Sequence, residues 1–344
     1  MSNVVALQCR GKLRADEDAL GFDCIESIVW ARDLLERLAG RRPPRPHPPG
    51  LTLTSDLSER VDELVRALES ADVVLVGAGS GLSVADGDFH MGPVFEERFA
   101  DLIARHGYHG AYPGGFRPYE TEGERWAFWA RNIALQRYET GPGRVYADLL
   151  AVLRSVPAGR DAFVLTTNVD HRFQRAGFDE ERLFCTQGDY GLLQCSVPCA
   201  QVTYDALPYV EAMLAGQERT GDTVRVPTET LPTCPRCGAL LTANLRADDR
   251  FVQDEGWYAA AERYRDWAEA HTTGRVLHLE LGVGMNTPVI IKYPFWRRVH
   301  DHPESTFASV DPQAVTVREI VDRSVVLRSG SAPVLAGLRE RFGS

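Results

Sequence analysis

Ala162-Phe163-Val164-Leu165-Thr166-Thr167-Asn168-Val169-Asp170 is the stretch from which the fold can be read. Its apolar start predicts a buried strand. The polar residues after it then stand at that strand's C-terminal end, where open α/β sheets bind their ligands. A second polar stretch follows, Cys185-Thr186-Gln187-Gly188-Asp189-Tyr190. Further apolar runs at 72–76, 276–281, 288–291 and 324–327 read as strands of a sheet covered on both faces. Between them lie segments of helical spacing, such as Val61, Leu64, Val65 and Leu68 behind an expected cap at Asp56 with Glu59. This alternation predicts an α/β protein with a doubly wound parallel sheet.

Apolar residues at 28, 31, 34, 35 and 38 predict a helix over 25–38, and the run Gly40-Arg41-Arg42-Pro43-Pro44-Arg45-Pro46-His47-Pro48-Pro49-Gly50 ends it, because proline lacks the amide hydrogen. Residues 1–50 are therefore expected to be an extension and linker ahead of a domain over 51–344. Within that domain the sheet portion is expected to comprise 51–190 and 274–344. The polar, cysteine-bearing stretch 191–273, with its helical Trp257-to-Trp267 segment, is expected to be a small inserted module.

The chain has 344 residues, 44% hydrophobic and 25% charged, which is ordinary for a soluble globular protein. A net charge of -10 opposes a nucleic-acid footprint. No run approaches the roughly 20 apolar residues that span a bilayer, and the first residues lack a signal peptide's charged start and apolar centre. The expectation is a cytoplasmic protein that binds neither nucleic acid nor membrane.

Gly77-Ala78-Gly79-Ser80-Gly81-Leu82-Ser83 follows the first strand and allows a tight turn into a helix whose N-terminus suits a phosphate. Its glycines are two apart, with Leu82 where the dinucleotide fingerprint needs a third glycine. A second glycine turn, Leu281-Gly282-Val283-Gly284-Met285-Asn286-Thr287-Pro288, follows another strand, and two such turns on one sheet can flank one nucleotide. Of seven cysteines, Cys195 and Cys199 form one close pair and Cys234 and Cys237 another. Four thiolates in two short-spaced pairs predict a closed, structural tetrahedral zinc site. Asn168 and Asp170 are placed to orient a sugar and to stabilise positive charge on it, although Asp170 can equally cap the helix expected from His171.

The order of Gly79-Ser80-Gly81-Leu82-Ser83, Thr167-Asn168-Val169-Asp170, the paired cysteines and the late glycine turn resembles the sirtuins, over roughly residues 55–340. Thr186-Gln187-Gly188-Asp189-Tyr190, Asp86-Gly87 and the segment Leu279–Pro288 are similar to the macrodomain-linked class of that family. The resemblance implies a Rossmann-like sheet domain with a zinc-ribbon insert and NAD lying between. It implies that Gly77, Ala78, Gly79, Gly81, Ser83, Asp86 and Phe89, then Gly282, Gly284, Asn286 and Thr287, line NAD, while Asn168, Asp170 and Gln187 serve catalysis. It also implies an acceptor, a lipoylated glycine cleavage H-like carrier protein, and a macrodomain hydrolase as the reversing partner.

Deacylating sirtuins carry a general-base histidine where this chain has Gln187. A glutamine does not titrate near neutral pH and cannot activate a ribose hydroxyl. Releasing nicotinamide makes less demand on a base, so the replacement points to mono-ADP-ribosyl transfer. The alternatives are a deacylase or NAD glycohydrolase, and a non-catalytic NAD or ADP-ribose sensor.

Overall fold

A computed structural model describes residues 57–87, 89–285 and 288–343. The helix expected over 25–38, the linker at 40–50, the cap at Asp56, and Asn286 and Thr287 lie outside the described residues.

The strands in chain order are β1 (Val73–Ala78), β2 (Phe163–Thr166), β3 (Leu183–Cys185), β4 (Gly188–Cys195), β5 (Thr203–Asp205), β6 (Glu218–Thr220), β7 (Thr223–Arg225), β8 (Leu241–Leu245), β9 (Val276–Leu281), β10 (Thr306–Val310) and β11 (Ser324–Leu327). Six of them form one parallel sheet in the order β11-β10-β9-β1-β2-β3. The chain winds outward from β1 in both directions, so the topological switch point, where a crevice opens at the carboxyl ends, falls between β1 and β9.

Every residue of β1, β2 and β9 is buried. Alternate residues face opposite sides of the sheet. Val74, Val76 and Ala78 join a core beneath the Leu57–Ser70, Arg144–Ser155 and Ser331–Phe342 helices, while Val73 and Leu75 join one beneath the Glu255–Ala270 and Lys292–Asp301 helices. A near-continuous apolar run is what a strand covered on both faces requires.

One apolar run is not a strand. Residues 288–291 make a turn leading into the Lys292–Asp301 helix, and Ile291 packs on the backbone of Gly77, where a Cβ would meet it at 2.4 Å. Four apolar residues do not distinguish a strand from a buried helix approach. The strand next to β9 is instead β10, whose Thr306 and Ser309 interrupt its apolar pattern.

The four-cysteine region contains the antiparallel sheet β5-β4-β8 and the β6–β7 hairpin. Its core is shared with an earlier part of the chain: Phe95, Phe99, Trp126 and Phe128 pack with Leu193, Cys195, Cys234 and Leu241. The helical segment containing Trp257 and Trp267 packs against Phe163 and Phe184 of the parallel sheet. No helix among the described residues is long and apolar enough to cross a membrane.

Candidate active site

The two glycine turns meet at the switch point. The Gly79 amide donates to Leu281 O and the Gly81 amide to Gly282 O, each at 3.0 Å. Side chains are excluded there by contact with backbone. A Cβ on Gly79 would lie 2.6 Å from Gly282 O, one on Gly81 2.8 Å from Gly282 Cα, and one on Gly282, whose φ is +62°, only 2.2 Å from Leu82 N. These glycines therefore let two loops touch. Gly284, by contrast, is exposed and has nothing within 4 Å of such a Cβ. Gly77 lies under the turn, against Ile291 and Phe295. Ala78 O accepts the Thr167 amide and the Thr166 hydroxyl, each at 3.0 Å, which ties β1 to the polar stretch after β2.

Asn168 and Asp170, 7% and 4% exposed, converge on Ser83. Ser83 Oγ lies 2.6 Å from Asp170 Oδ2, 2.8 Å from the Tyr146 hydroxyl and 3.1 Å from Asn168 Nδ2. A serine has one proton to give. It goes to the carboxylate, so Asn168 and Tyr146 both donate to the serine oxygen. Asn168 Nδ2 also donates to Gly79 O at 3.1 Å, which connects the strand-end amide to the glycine turn. The convergence comes from the turn after β2, which ends at Thr166. Asp170 also accepts the Arg172 amide at 3.2 Å; the helix begins at Arg172 with His171, not Asp170, as its N-cap residue.

Asp86 and Phe89 sit behind this network. Asp86 accepts the amides of Gly143 and Val145 at 2.6 and 2.9 Å, at the start of the Arg144–Ser155 helix, where a carboxylate is favoured. Arg172, wholly buried, lies 3.4 Å from Asp86 and 3.7 Å from Asp170, with its guanidinium 5.0 Å from the centre of the Phe89 ring.

The second polar stretch runs beside the first: Thr186 N donates to Thr166 O at 2.9 Å and Tyr190 N to Val169 O at 2.8 Å. Gln187 Nε2 is buried and has no hydrogen-bond partner among the described residues. A buried amide donor left open in this way is fit to receive a ligand acceptor. The next residue must be glycine: Gly188 has φ +101° and a Cβ there would meet Asn244 O at 2.1 Å. At Cys185, which borders the site, burial, and then the nearby Asp189, push the thiol well above the ordinary range, which disfavours the thiolate.

β4 carries the chain from Gln187 directly to Cys195. The sulfurs of Cys195, Cys199, Cys234 and Cys237 all lie within 4.8 Å of one another, with Cys195–Cys237 at 3.5 Å and Cys199–Cys234 at 3.7 Å. A Zn–S bond of about 2.3 Å sets tetrahedral edges of about 3.8 Å. The four sulfurs fit one zinc ion with no position left open for chemistry.

Tyr146 and Arg172 escaped the sequence reading, because a lone tyrosine and a lone arginine in amphipathic helices carry no signal. Burial, first, and then the Asp170 charge push the Tyr146 phenol far up, so it stays a proton donor. Arg131 is held by both oxygens of Asp101, at 2.6 and 3.1 Å, and by Gln217, and it braces the small module.

A six-stranded parallel sheet, a glycine turn clamped to a second one at its switch point, and a four-cysteine insert define a class, the sirtuin fold. Solved structures agree. A Sir2 homologue in complex with NAD aligns with 82% of this chain and 93% of its own, at a TM-score of 0.53 and 15% identity. Sir2Tm bound to a propionylated peptide aligns with 82% and 98%, at a TM-score of 0.53 and 15% identity. No family model matches the chain. Among curated proteins, the protein ADP-ribosyltransferase of Staphylococcus aureus is 30% identical over 277 residues, 80% of this chain and 85% of that protein. A probable bifunctional ADP-ribose hydrolase/ADP-ribosyltransferase of Fusarium oxysporum f. sp. cubense is 32% identical over 240 residues; the match takes in 66% of this chain and 38% of that protein. The chain belongs to the protein ADP-ribosyltransferases and has the sirtuin fold.

Proposed function

We propose that this protein transfers ADP-ribose from NAD to a lipoylated carrier protein similar to the glycine cleavage H protein, and that it belongs to the macrodomain-linked class. The single observation that carries the transferase reading is Gln187: an amide, with its nitrogen buried and unpartnered, where deacylation needs a base. In this reading NAD is the substrate and lies across the switch point. Gly79, Gly81, Ser83, Gly282 and Gly284 line its diphosphate and ribose. Gly77, Ala78, Asp86 and Phe89 support that wall from behind, and the family resemblance adds Asn286 and Thr287 to the NAD-binding set.

Asn168 and Asp170 then stand at the nicotinamide end, where the C1′–N bond breaks. The Asp170 carboxylate, fixed by Ser83 and by the Arg172 amide, faces the sugar that gains positive charge, and a preorganised anion there lowers the barrier. Gln187 orients without taking a proton. The proposed division into a sheet domain over 51–190 and 274–344 and a zinc module over 191–273 puts these residues at the junction of the two.

The macrodomain hydrolase as reversing partner is supported by the fungal relative, whose name joins an ADP-ribose hydrolase and a transferase in one protein. The test is to supply NAD with a lipoylated H-like carrier and, separately, with an acylated peptide. Labelling of the carrier with little O-acyl-ADP-ribose is expected. Comparable formation of O-acyl-ADP-ribose would overturn the transferase reading in favour of a deacylase. NAD binding without nicotinamide release would favour a sensor.

A further inference from the structure

His171 follows Asp170 directly and is the one non-glycine residue with positive φ among those described, at φ 63° and ψ 17°. A side-chain-bearing residue holds a left-handed conformation only where its surroundings over-determine it. Here they do. His171 Nδ1 lies 2.5 Å from Asp189 Oδ2, and the other oxygen of Asp189 takes Arg137 Nε at 2.9 Å and the Gly191 amide at 2.6 Å. Arg137 comes from the π-helical segment Ala134–Glu139, a form frequent at functional sites.

This chain of contacts fixes the imidazole. Burial works to raise the Asp189 carboxyl, but the hydrogen bond to His171 and the charges of His171 and Arg137 outweigh it and hold the group below its ordinary value. An ionised carboxylate against Nδ1 keeps the proton on Nδ1. Nε2 makes no hydrogen bond to any described residue, and the side chain is 25% exposed. Hence one ring edge is anchored and the other is offered outward, one residue from Asp170. It stands where segment 168–171 faces the segment bearing Gln187.

Nothing in the NAD-facing network uses this edge. Resting on the transferase reading above, we propose that His171 is an acceptor-positioning residue: its Nε2 edge hydrogen-bonds the acceptor side chain and directs it at the sugar carbon, while Asp189 and Arg137 hold the ring in place. The role is one of hydrogen bonding and not of proton transfer, so a side-chain amide can stand in for it.

The experiment measures the partition ratio, carrier labelling divided by nicotinamide released, with NAD and a lipoylated H-like carrier, for the wild-type chain, His171→Gly, His171→Gln and Asp189→Asn. Glycine suits positive φ, so His171→Gly keeps the fold, checked by its melting temperature. His171→Gly is expected to lower the ratio by on the order of tenfold to a hundredfold, the worth of one hydrogen bond to a charged or polar partner. His171→Gln should recover most of it, and Asp189→Asn should lie between. An unchanged ratio in His171→Gly would sink the inference. A His171→Gln ratio as low as that of His171→Gly would also overturn it, in favour of a base. Failure of the wild-type chain itself to label the carrier would overturn the transferase reading and this inference with it.

Discussion

Replacing Gly282 by alanine tests whether contact between the two glycine turns builds the nucleotide crevice. A left-handed backbone at a residue with a side chain costs about 1–2 kcal/mol. The new Cβ would also stand 2.2 Å from Leu82 N and 2.4 Å from Gly81 C, both backbone atoms that cannot rotate away. Such overpacking adds about 1–3 kcal/mol, for a total of about 2–5 kcal/mol. For a domain of this size that is a fall in melting temperature of roughly 3–8 °C. Relief by movement would break the bonds from Gly79 N to Leu281 O and from Gly81 N to Gly282 O, so NAD affinity should fall as well. Gly284→Ala is the internal comparison. It meets nothing within 4 Å and should leave stability within about 0.5 kcal/mol, while weakening NAD binding if the crevice is lined as proposed. Melting curves with and without NAD supply both numbers. A Gly282→Ala protein that melts within about 2 °C of the wild type and keeps its NAD-dependent shift would refute the reasoning.

Metal analysis should find about one zinc per chain, and Cys234→Ser, at a buried ligand position, should lose the metal and unfold the small module; a folded, metal-free protein would refute the site. Asn168→Ala should abolish carrier labelling while NAD still binds, and unchanged labelling would remove Asn168 from the mechanism. His278 supplies a pH test. Burial, and then the charge of Arg298, push its pKa from 6.5 down to about 3, so the unfolded chain alone takes up this proton in that window. Stability from this site is whole above about pH 6.5 and is lost as pH falls toward 3, with a slope approaching 1.4 kcal/mol per unit. His278→Met should flatten the acid limb of a denaturant-midpoint profile by about that much; an unaltered slope would show that His278 carries no such linkage.

Much of the sheet was legible in the sequence, and the reason is burial on both faces. β1, β2, β9 and β11 all announce themselves as apolar runs. β10 did not, because Thr306 and Ser309 interrupt it; Ser309 instead donates to the buried Glu280 at 2.7 Å. Residues 288–291 misled for the converse reason, since a helix approach pressed against Gly77 is as apolar as a strand. The four cysteines were readable because metal coordination demands a set of identical ligands at close spacing. Asn168, Asp170 and Ser83 stood out as polar residues in glycine- or strand-flanked turns. The capping of the Arg144–Ser155 helix by Asp86 and the engagement of both glycine amides were not readable, because both depend on partners more than fifty residues away.

The sequence by itself therefore determined the class of sheet and the set of four cysteines that cluster, because hydrophobic period and ligand spacing are local facts. Tertiary structure alone decided who touches whom. It placed Tyr146 on Ser83, buried Arg172 between two carboxylates, and set His171 in a left-handed turn against Asp189. Those contacts join segments distant in the chain, and their energies come from desolvation and geometry that exist only once the sheet has brought its carboxyl ends together.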